Sequence, residues 1–434
     1  MSERYAAFWF RRDLRLDDNH GLFRALTSGD PVIPVFIFDR NILDELPRRD
    51  ARVQFLHQAL HEMQQHLAQL GSTLHVVYGK PMEVWDQLIQ QYPINTVYTN
   101  HDYEPYAKAR DGELAAFLEG KGIAFQTFQD QVIFEKESVL SNSDKPYSVF
   151  TPYSKKWRAQ LTPDHFNPYD SEGQQANYWK HEAIAIPTLE EMGFEETAIS
   201  FPSKVPDTDI IKVYEEKRNF PAQKGTTHIG IHLRFGTISV RRLGKIAQDL
   251  SFTYLNELIW REFYMQILWN FPHVAEGPFR PQYAAIPWRD SEADFEKWKT
   301  GQTGYPIVDA GMRELNETGY MHNRVRMITA SFLTKHLLIN WQWGEAYFAE
   351  KLLDFELSSN NGGWQWASGS GTDAAPYFRI FNPESQIKKF DPQMRYVRKW
   401  VPEYGTPAYA REMVNHKEAR ERCLTTYKKA LDQS

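Results

Sequence analysis

The first part of the chain alternates short apolar runs with amphipathic stretches. Tyr5–Phe10 (YAAFWF) and Val32–Phe38 (VIPVFIF) are nearly unbroken apolar segments of strand length. A helical period follows from about Arg52 to Leu70. Then come Thr73–Tyr78 as a strand, Pro81–Gln91 as a helix, Thr96–Thr99 as a strand, Tyr106–Glu119 as a helix and Ile123–Phe128 as a strand. Apolar strands alternating with helices predict a parallel sheet, an α/β doubly wound domain of Rossmann-like architecture. The turn after the first strand reads RRDLRLDDN, so the G-x-G-x-x-G fingerprint of dinucleotide binding is missing.

Between about Glu135 and Lys204 the pattern gives way to Pro, Ser, Asn and Asp, as in SNSDKPYS and TPDHFNPYDSEGQQ, which predicts a long surface connector. Beyond about Pro206 the helical period dominates to the end. The expected organisation is an α/β domain over 1–134, an interdomain linker over 135–204 and a larger all-helical domain over 205–434.

Composition changes this picture in three places. Aromatic residues reach 14%, with 13 Trp, several of them in polar, Gly-rich surroundings where rings stack on planar partners. The net charge of -6 leaves room for nucleic acid only at a local basic groove. The single cysteine, Cys423, excludes an intrachain disulfide framework and a cysteine-based zinc site. The opening MSERYAAFWFRRDLRL is charged where a signal peptide is apolar, and no apolar run reaches membrane-span length. A cytoplasmic protein without a membrane is expected.

Four segments concentrate polar chemistry. In YLNELIWREFY, the residues Glu257, Trp260, Arg261 and Tyr264 follow i, i+3, i+4, i+7 spacing, and Tyr254 lies one turn back. An amphipathic helix with an Arg–Glu pair explains the stripe; so does the wall of a pocket for a flat, hydrogen-bonding ligand. In GYMHNRVRMITASFL, Asn323 and Met327 share a face that Arg326 and Ala330 continue, with Arg324 at its edge. DFELSSNNGGWQWASGSGTDAAPYFR sets carboxylates, paired Asn, paired Gly, Trp364 and Trp366 close together, which suits close approach to a heteroaromatic edge. In YEEKRNFPAQKGTTHIGIHLRFGTIS, Tyr214, Gly225-Thr226-Thr227 and Gly230 offer a cradle for phosphates, though not a Walker motif. HEMQQH, at His61–His66, is one residue too long for the H-E-x-x-H zinc pattern, and no metal site is expected.

Taken in order, FRRDLRLDDN, NELIWREF, TGYPIVDAGMRE, MHNRVRMITASFL and NNGGWQWASGSGTDAAPYFRIFNP resemble the photolyase/cryptochrome family over nearly the whole chain. The likeness is most like bacterial cyclobutane pyrimidine dimer photolyases of the class I type. It implies FAD in the helical domain, with Tyr214, Thr226, Thr227 and Ile229 on the phosphate side and Arg261, Asn323, Asp354, Glu356 and Asn360 on the rest of the flavin. Gly230 stands where many relatives have Ser, and Glu356 where many have Asp. The resemblance further implies light-driven repair, in which the excited reduced flavin lends an electron to a flipped-out dimer and takes it back. Glu257, Asn323, Met327, Trp260 and Trp366 would hold the lesion. Trp364, Trp341 and Trp288 would pass electrons, and Arg218, Trp260, Arg324 and Arg379 would hold DNA.

An antenna chromophore in the N-terminal sheet would be a deazaflavin, a folate or another flavin. Tyr106 and Ala107 stand where folate-binding relatives carry an Asn-Glu pair, and the strand ends near Phe38 and Asn100 are the expected rim. The partner expected is damaged DNA, single- or double-stranded, acted on by a monomer without an obligate protein partner. The competing readings are a cryptochrome-type blue-light receptor, which the short stretch after Glu403 disfavours, and a six-four photoproduct photolyase. The latter typically has two His where this chain has Asn323 and Met327.

Overall fold

The computed structural model describes residues 4–432. Residues up to Glu135, with Leu161–Pro206 and Ile229–Ile246, form one compact unit; Lys136–Gln160, Asp207–His228 and Ala247 onward form a second. The stretch expected as a connector is thus divided between the two units. It is also not structureless, because Phe150–Gln160 is helical and buries Phe150, Tyr153 and Trp157.

The first unit is built on five parallel strands: β1 (Tyr5–Phe10), β2 (Val32–Asp39), β3 (His75–Gly79), β4 (Ile94–Asn100) and β5 (Ala124–Phe128), in the order β3-β2-β1-β4-β5. Helices α1 (His20–Leu26), α2 (Ala51–Gln69), α3 (Pro81–Gln91) and α4 (Pro105–Gly120) alternate with them. The doubly wound α/β architecture is therefore as the pattern predicts. Every residue of β2 is buried, which is why the strand reads as a continuous apolar run. Pro34 sits opposite Phe8, before Val35 begins the pairing with β3, so its missing N–H falls outside that ladder. The short helix α1 was not anticipated; Asn19 caps it by accepting from Leu22 N at 3.1 Å.

The sheet's strand ends differ from expectation. Phe38 is 1% exposed and Asn100 3% exposed, so neither forms a rim. The Asn100 amide donates to Asp13 Oδ2 (2.6 Å) and Asn19 Oδ1 (2.8 Å), and its Oδ1 accepts from Gly21 N (2.9 Å). Arg11 crosses the strand ends to bind Asp111 at 2.5 Å and the Asn100 carbonyl.

The second unit is helical among its described residues. Its helices include α5 (Phe150–Gln160), α6 (Phe252–Asn270), α7 (Pro306–Thr318), α8 (Asn323–Ser331), α9 (Trp341–Lys351) and α10 (Leu357–Ser368), with α11 (His416–Asp432) last. A π-helical turn, Phe332–His336, follows α8. The core around Val325, Ile328, Leu333, Trp341, Phe348 and Trp364 locks α8, α9 and α10 together.

Candidate functional site

Helix α6 explains how one wall is made. Ser251 caps it by accepting from Tyr254 N, and Leu258, Ile259 and Phe263 bury one side. The residues at helical spacing opposite them, Glu257, Trp260, Arg261 and Tyr264, then line a cavity of about 470 Å³. Trp260 is held by Phe150 of α5, stacked at 3.6 Å with the planes 6° apart. Glu257 pairs with Arg218. Burial pushes the Glu257 carboxyl up, and the Arg218 guanidinium opposes that shift.

Helix α8 supplies the facing wall through Asn323, Arg324, Arg326, Met327 and Ala330. His322 is its N-cap and accepts from Arg324 N through Nδ1 at 3.1 Å. Burial lowers the His322 pKa to about 4, so the ring is neutral near pH 7 and serves the backbone. Arg324 donates to Asn219 Oδ1 (2.6 Å) and lies 4.4 Å over the Phe390 ring. Its pKa is lowered by burial, then by Arg218 and Arg379, so three cations share one field. Met327 Sδ lies 3.7 Å from Arg324 Nη1.

Helix α10 forms the floor. Its cap is Glu356, whose carboxylate accepts from Ser358 N (3.2 Å) and Ser359 N (3.0 Å) and from both hydroxyls. Asn360, Gly363, Trp364 and Trp366 reach the cavity from this helix. Two glycines make room for rings: a Cβ on Gly362 would strike the Tyr264 ring, and one on Gly344 of α9 would strike Trp364. Gly363 differs, because a Cβ there would meet nothing within 4 Å. Glu345 of α9 fixes two amides: its carbonyl accepts from Asn360 Nδ2 (3.1 Å) and its carboxylate from Asn361 Nδ2 (2.9 Å). Burial pushes the Glu345 carboxyl up to about 7, with Asn361 opposing.

Tyr214, Arg218, Thr226, Asp354 and Glu356 complete the wall. Thr226 Oγ1 lies 3.1 Å from Tyr320 OH. Asp354 accepts from Arg326 Nη2 at 2.9 Å through Oδ2, while Oδ1 is buried with no hydrogen-bond partner. Other expected residues stand elsewhere. Thr227 is 2.8 Å from Tyr254 OH and does not line the cavity. Ile229 is buried within the first unit. Arg379 is exposed, 5.9 Å from the Phe381 ring, which in turn is 6.4 Å from Trp366. Trp341 shares the buried core with Trp364, and Trp288 packs against that core from its edge. The ring neighbours of Trp364 are Phe348 (4.9 Å) and Trp298 (6.0 Å). Arg326 and Glu345 were not singled out as site residues. Arg326 carried a signal, since it lies three residues from Asn323; Glu345 carried none, because its partners are on another helix.

The donor set suits FAD in three respects. The unpartnered Asp354 oxygen awaits a donor, the bare Gly363 surface admits a flat ring against the helix, and the volume lies within the range of cofactor pockets. Comparison with known proteins agrees. Residues 6–171 match the DNA photolyase family model, and residues 254–407 match the FAD binding domain of DNA photolyase. A deoxyribodipyrimidine photo-lyase of Synechococcus sp. is 42% identical, over 91% of this chain and 87% of its own. A bacterial class III photolyase from Agrobacterium tumefaciens superposes with a TM-score of 0.86 at 33% identity, covering 99% of this chain and 98% of its own. A Synechocystis cryptochrome superposes with a TM-score of 0.85 at 26% identity, covering 98% of this chain and 99% of its own. With both of its units matched and identity at this level over most of its length, the chain belongs to the DNA photolyase family.

Proposed function

We propose that this protein is a light-driven DNA repair enzyme that splits cyclobutane pyrimidine dimers, with FAD in the helical-unit cavity. The observation that carries the reading is the convergence, in one cavity, of stacking rings, a carboxylate, amides and a thioether with a second set suited to a cofactor. FAD, when bound, supplies one-electron chemistry driven by light.

The chain's own residues do the rest. Arg218, Arg324 and Arg379 attract the DNA backbone, and a dimer, which pairs poorly, leaves the stack at a cost of a few kcal/mol. Trp260, held rigid by Phe150, and Trp366 return part of that cost by stacking, at about 1–3 kcal/mol per base. Glu257 accepts from the polar edge of the dimer. Asn323 presents an amide to either ligand, and Met327 packs against the lesion without offering a proton. Arg326 neutralises Asp354, whose free Oδ1 would accept from the cofactor. Asn360, steadied by the Glu345 carbonyl, offers an uncharged amide oxygen at the floor. Arg261, Tyr214 and Thr226 would hold the cofactor's remaining polar groups, and Glu356 positions the helix that carries Asn360. Trp364, Trp341 and Trp288 serve electron supply.

No histidine lines the cavity among the described residues, and this favours dimers over six-four products, whose repair calls for a proton donor near neutral pH. The monomer is taken as the working unit. If the sheet unit binds an antenna chromophore, Phe38 and Asn100 are buried beneath its contact surface rather than part of it. The test is a dimer-containing oligonucleotide incubated with FAD-loaded, chemically reduced protein in light and in darkness. Loss of the dimer in light alone is expected. Flavin photochemistry without dimer loss would make the protein a receptor instead.

A further inference from the structure

The turn made by Arg218, Asn219 and Phe220 sends each of its side chains to a different partner. It follows the short helix Tyr214–Lys217, with Arg218 N donating to the Tyr214 carbonyl (2.9 Å) and Phe220 N to the Lys217 carbonyl (3.0 Å). Gly225 packs so close to this turn that a Cβ there would strike the Lys217 carbonyl. Arg218 pairs with Glu257. Asn219 accepts through Oδ1 from Arg324 Nη2 at 2.6 Å. Phe220 meets Phe390 edge-on, with ring centres 6.4 Å apart, and Phe390 is the ring over which the Arg324 guanidinium lies at 4.4 Å. Asn219 lines the cavity, and none of the roles above uses it.

The two arginines on this wall are held in different ways. Arg218 is held by a carboxylate, which orients it and takes up its charge. Arg324 is held by an amide oxygen, which orients it and leaves the charge in place. Among the described residues no carboxylate pairs with Arg324, and the charges that bear on it are the cations Arg218 and Arg379. Of its three nitrogens, Nη2 is taken by Asn219, Nη1 has the Met327 sulfur at 3.7 Å, and Nε is buried with no hydrogen-bond partner. The buried Phe390 ring also has Lys389 Nζ 5.2 Å from its centre, so the platform under Arg324 brings a further cation and no anion.

We propose that Asn219 is a positioning residue for DNA binding: it holds Arg324 in a fixed pose without neutralising it, so that the whole of that charge is available to a DNA phosphate. The proposal deepens the reading of Arg324 as a phosphate contact and rests on it.

Two requirements meet at this position. A long side chain that becomes ordered only on binding weakens the complex about two- to tenfold, and one already fixed in the free protein does not. A carboxylate at position 219 would restrain the guanidinium equally. It would also neutralise it in the free protein, and the phosphate that Arg324 meets would then release no counterion on its account. A neutral acceptor meets both requirements, and Asn219 is one.

The experiment measures binding of the FAD-loaded protein to dimer-containing and undamaged duplexes over a range of salt. The proteins compared are the parent, Asn219→Ala, Asn219→Asp, Arg324→Ala and the double variant of Asn219→Ala with Arg324→Ala, each checked for bound flavin by its visible spectrum. Asn219→Ala should weaken both duplexes about two- to tenfold and keep the parent's slope of log affinity against log salt, because Arg324 retains its charge. Asn219→Asp, which keeps the shape of the side chain, should weaken both most at low salt and flatten the slope by about one unit, as Arg324→Ala does. In the Arg324→Ala background, Asn219→Ala should cost nothing further. A loss that persists undiminished in the double variant makes Asn219 a support of the fold alone and overturns the proposal. Parent affinity in Asn219→Ala, or the parent's slope in Asn219→Asp, overturns it as well. If Arg324→Ala itself binds DNA as the parent does, the reading of Arg324 fails and the proposal falls with it; if Arg324→Ala shows its loss and the Asn219 variants show none, the proposal fails alone.

Discussion

Glu257 faces a ligand while leaning on Arg218, and burial raises its carboxyl against that partner. A charged hydrogen bond of this kind contributes about 1.5–3 kcal/mol when the site is dry. Glu257→Ala should therefore weaken binding of dimer-containing DNA roughly tenfold or more and leave undamaged DNA nearly unchanged. Gel-shift titrations on matched duplexes check this, and equal losses on both would move Glu257 out of the lesion pocket. Its place on the wall was legible in the sequence because Glu257, Trp260, Arg261 and Tyr264 fall on one helical face. Single residues elsewhere were less legible. Glu356 reads as a ligand-facing acid but caps its own helix through four hydrogen bonds, a local demand that competes with any distant one. Thr227 is likewise engaged by Tyr254.

At the scale of elements, α10 carries the floor and its glycines carry distinct loads. Gly362→Ala should destabilise the protein by about 1–3 kcal/mol, because its methyl meets the Tyr264 ring. Gly363→Ala should hold or raise the stability of the flavin-free protein by up to about 1 kcal/mol, since the methyl meets nothing and alanine favours helix. The same change should weaken FAD binding. Denaturant melts with flavin titrations separate the two; unchanged FAD affinity in Gly363→Ala would place the ring elsewhere.

The α9–α10 contact has a pH dependence of definite sign. Glu345 in the folded state keeps its proton up to about 7, so the folded state binds more protons than the unfolded state between the ordinary Glu range and 7. Its contribution is therefore favourable in acid and lost as pH rises toward 7. Glu345→Gln should be nearly neutral at pH 5 and stabilising by about 2 kcal/mol at pH 8, measured by urea melts at both. A variant less stable at pH 8 than at pH 5, relative to the parent, would contradict this. The elements themselves were well marked in the sequence. The apolar runs of β1 and β2 mark strands buried on both faces, and the period of Ala51–Gln69 marks a long surface helix. Meetings between distant elements, such as Glu345 with Asn360 and Asn361, or Arg11 with Asn100 and Asp111, left no local trace.

The whole molecule carries a net charge of -6, yet Arg218 and Arg379 lie close enough to Arg324 to disfavour its charge. An acidic protein with a local cationic field should bind DNA with a salt dependence set by a few contacts. Arg324→Ala should weaken damaged and undamaged DNA alike and flatten the slope of log affinity against log salt by about one unit. A selective loss on damaged DNA would instead assign Arg324 to the lesion. The central claim, that the cavity serves light-driven splitting of cyclobutane dimers, meets its most direct test in one mixed substrate. An oligonucleotide pool carrying cyclobutane dimers and six-four products is illuminated with the FAD-loaded, reduced protein, and both lesions are then quantified. The dimers should disappear in light and persist in darkness, while the six-four products survive both. Dimers that survive illumination would contradict the account, whatever becomes of the six-four products.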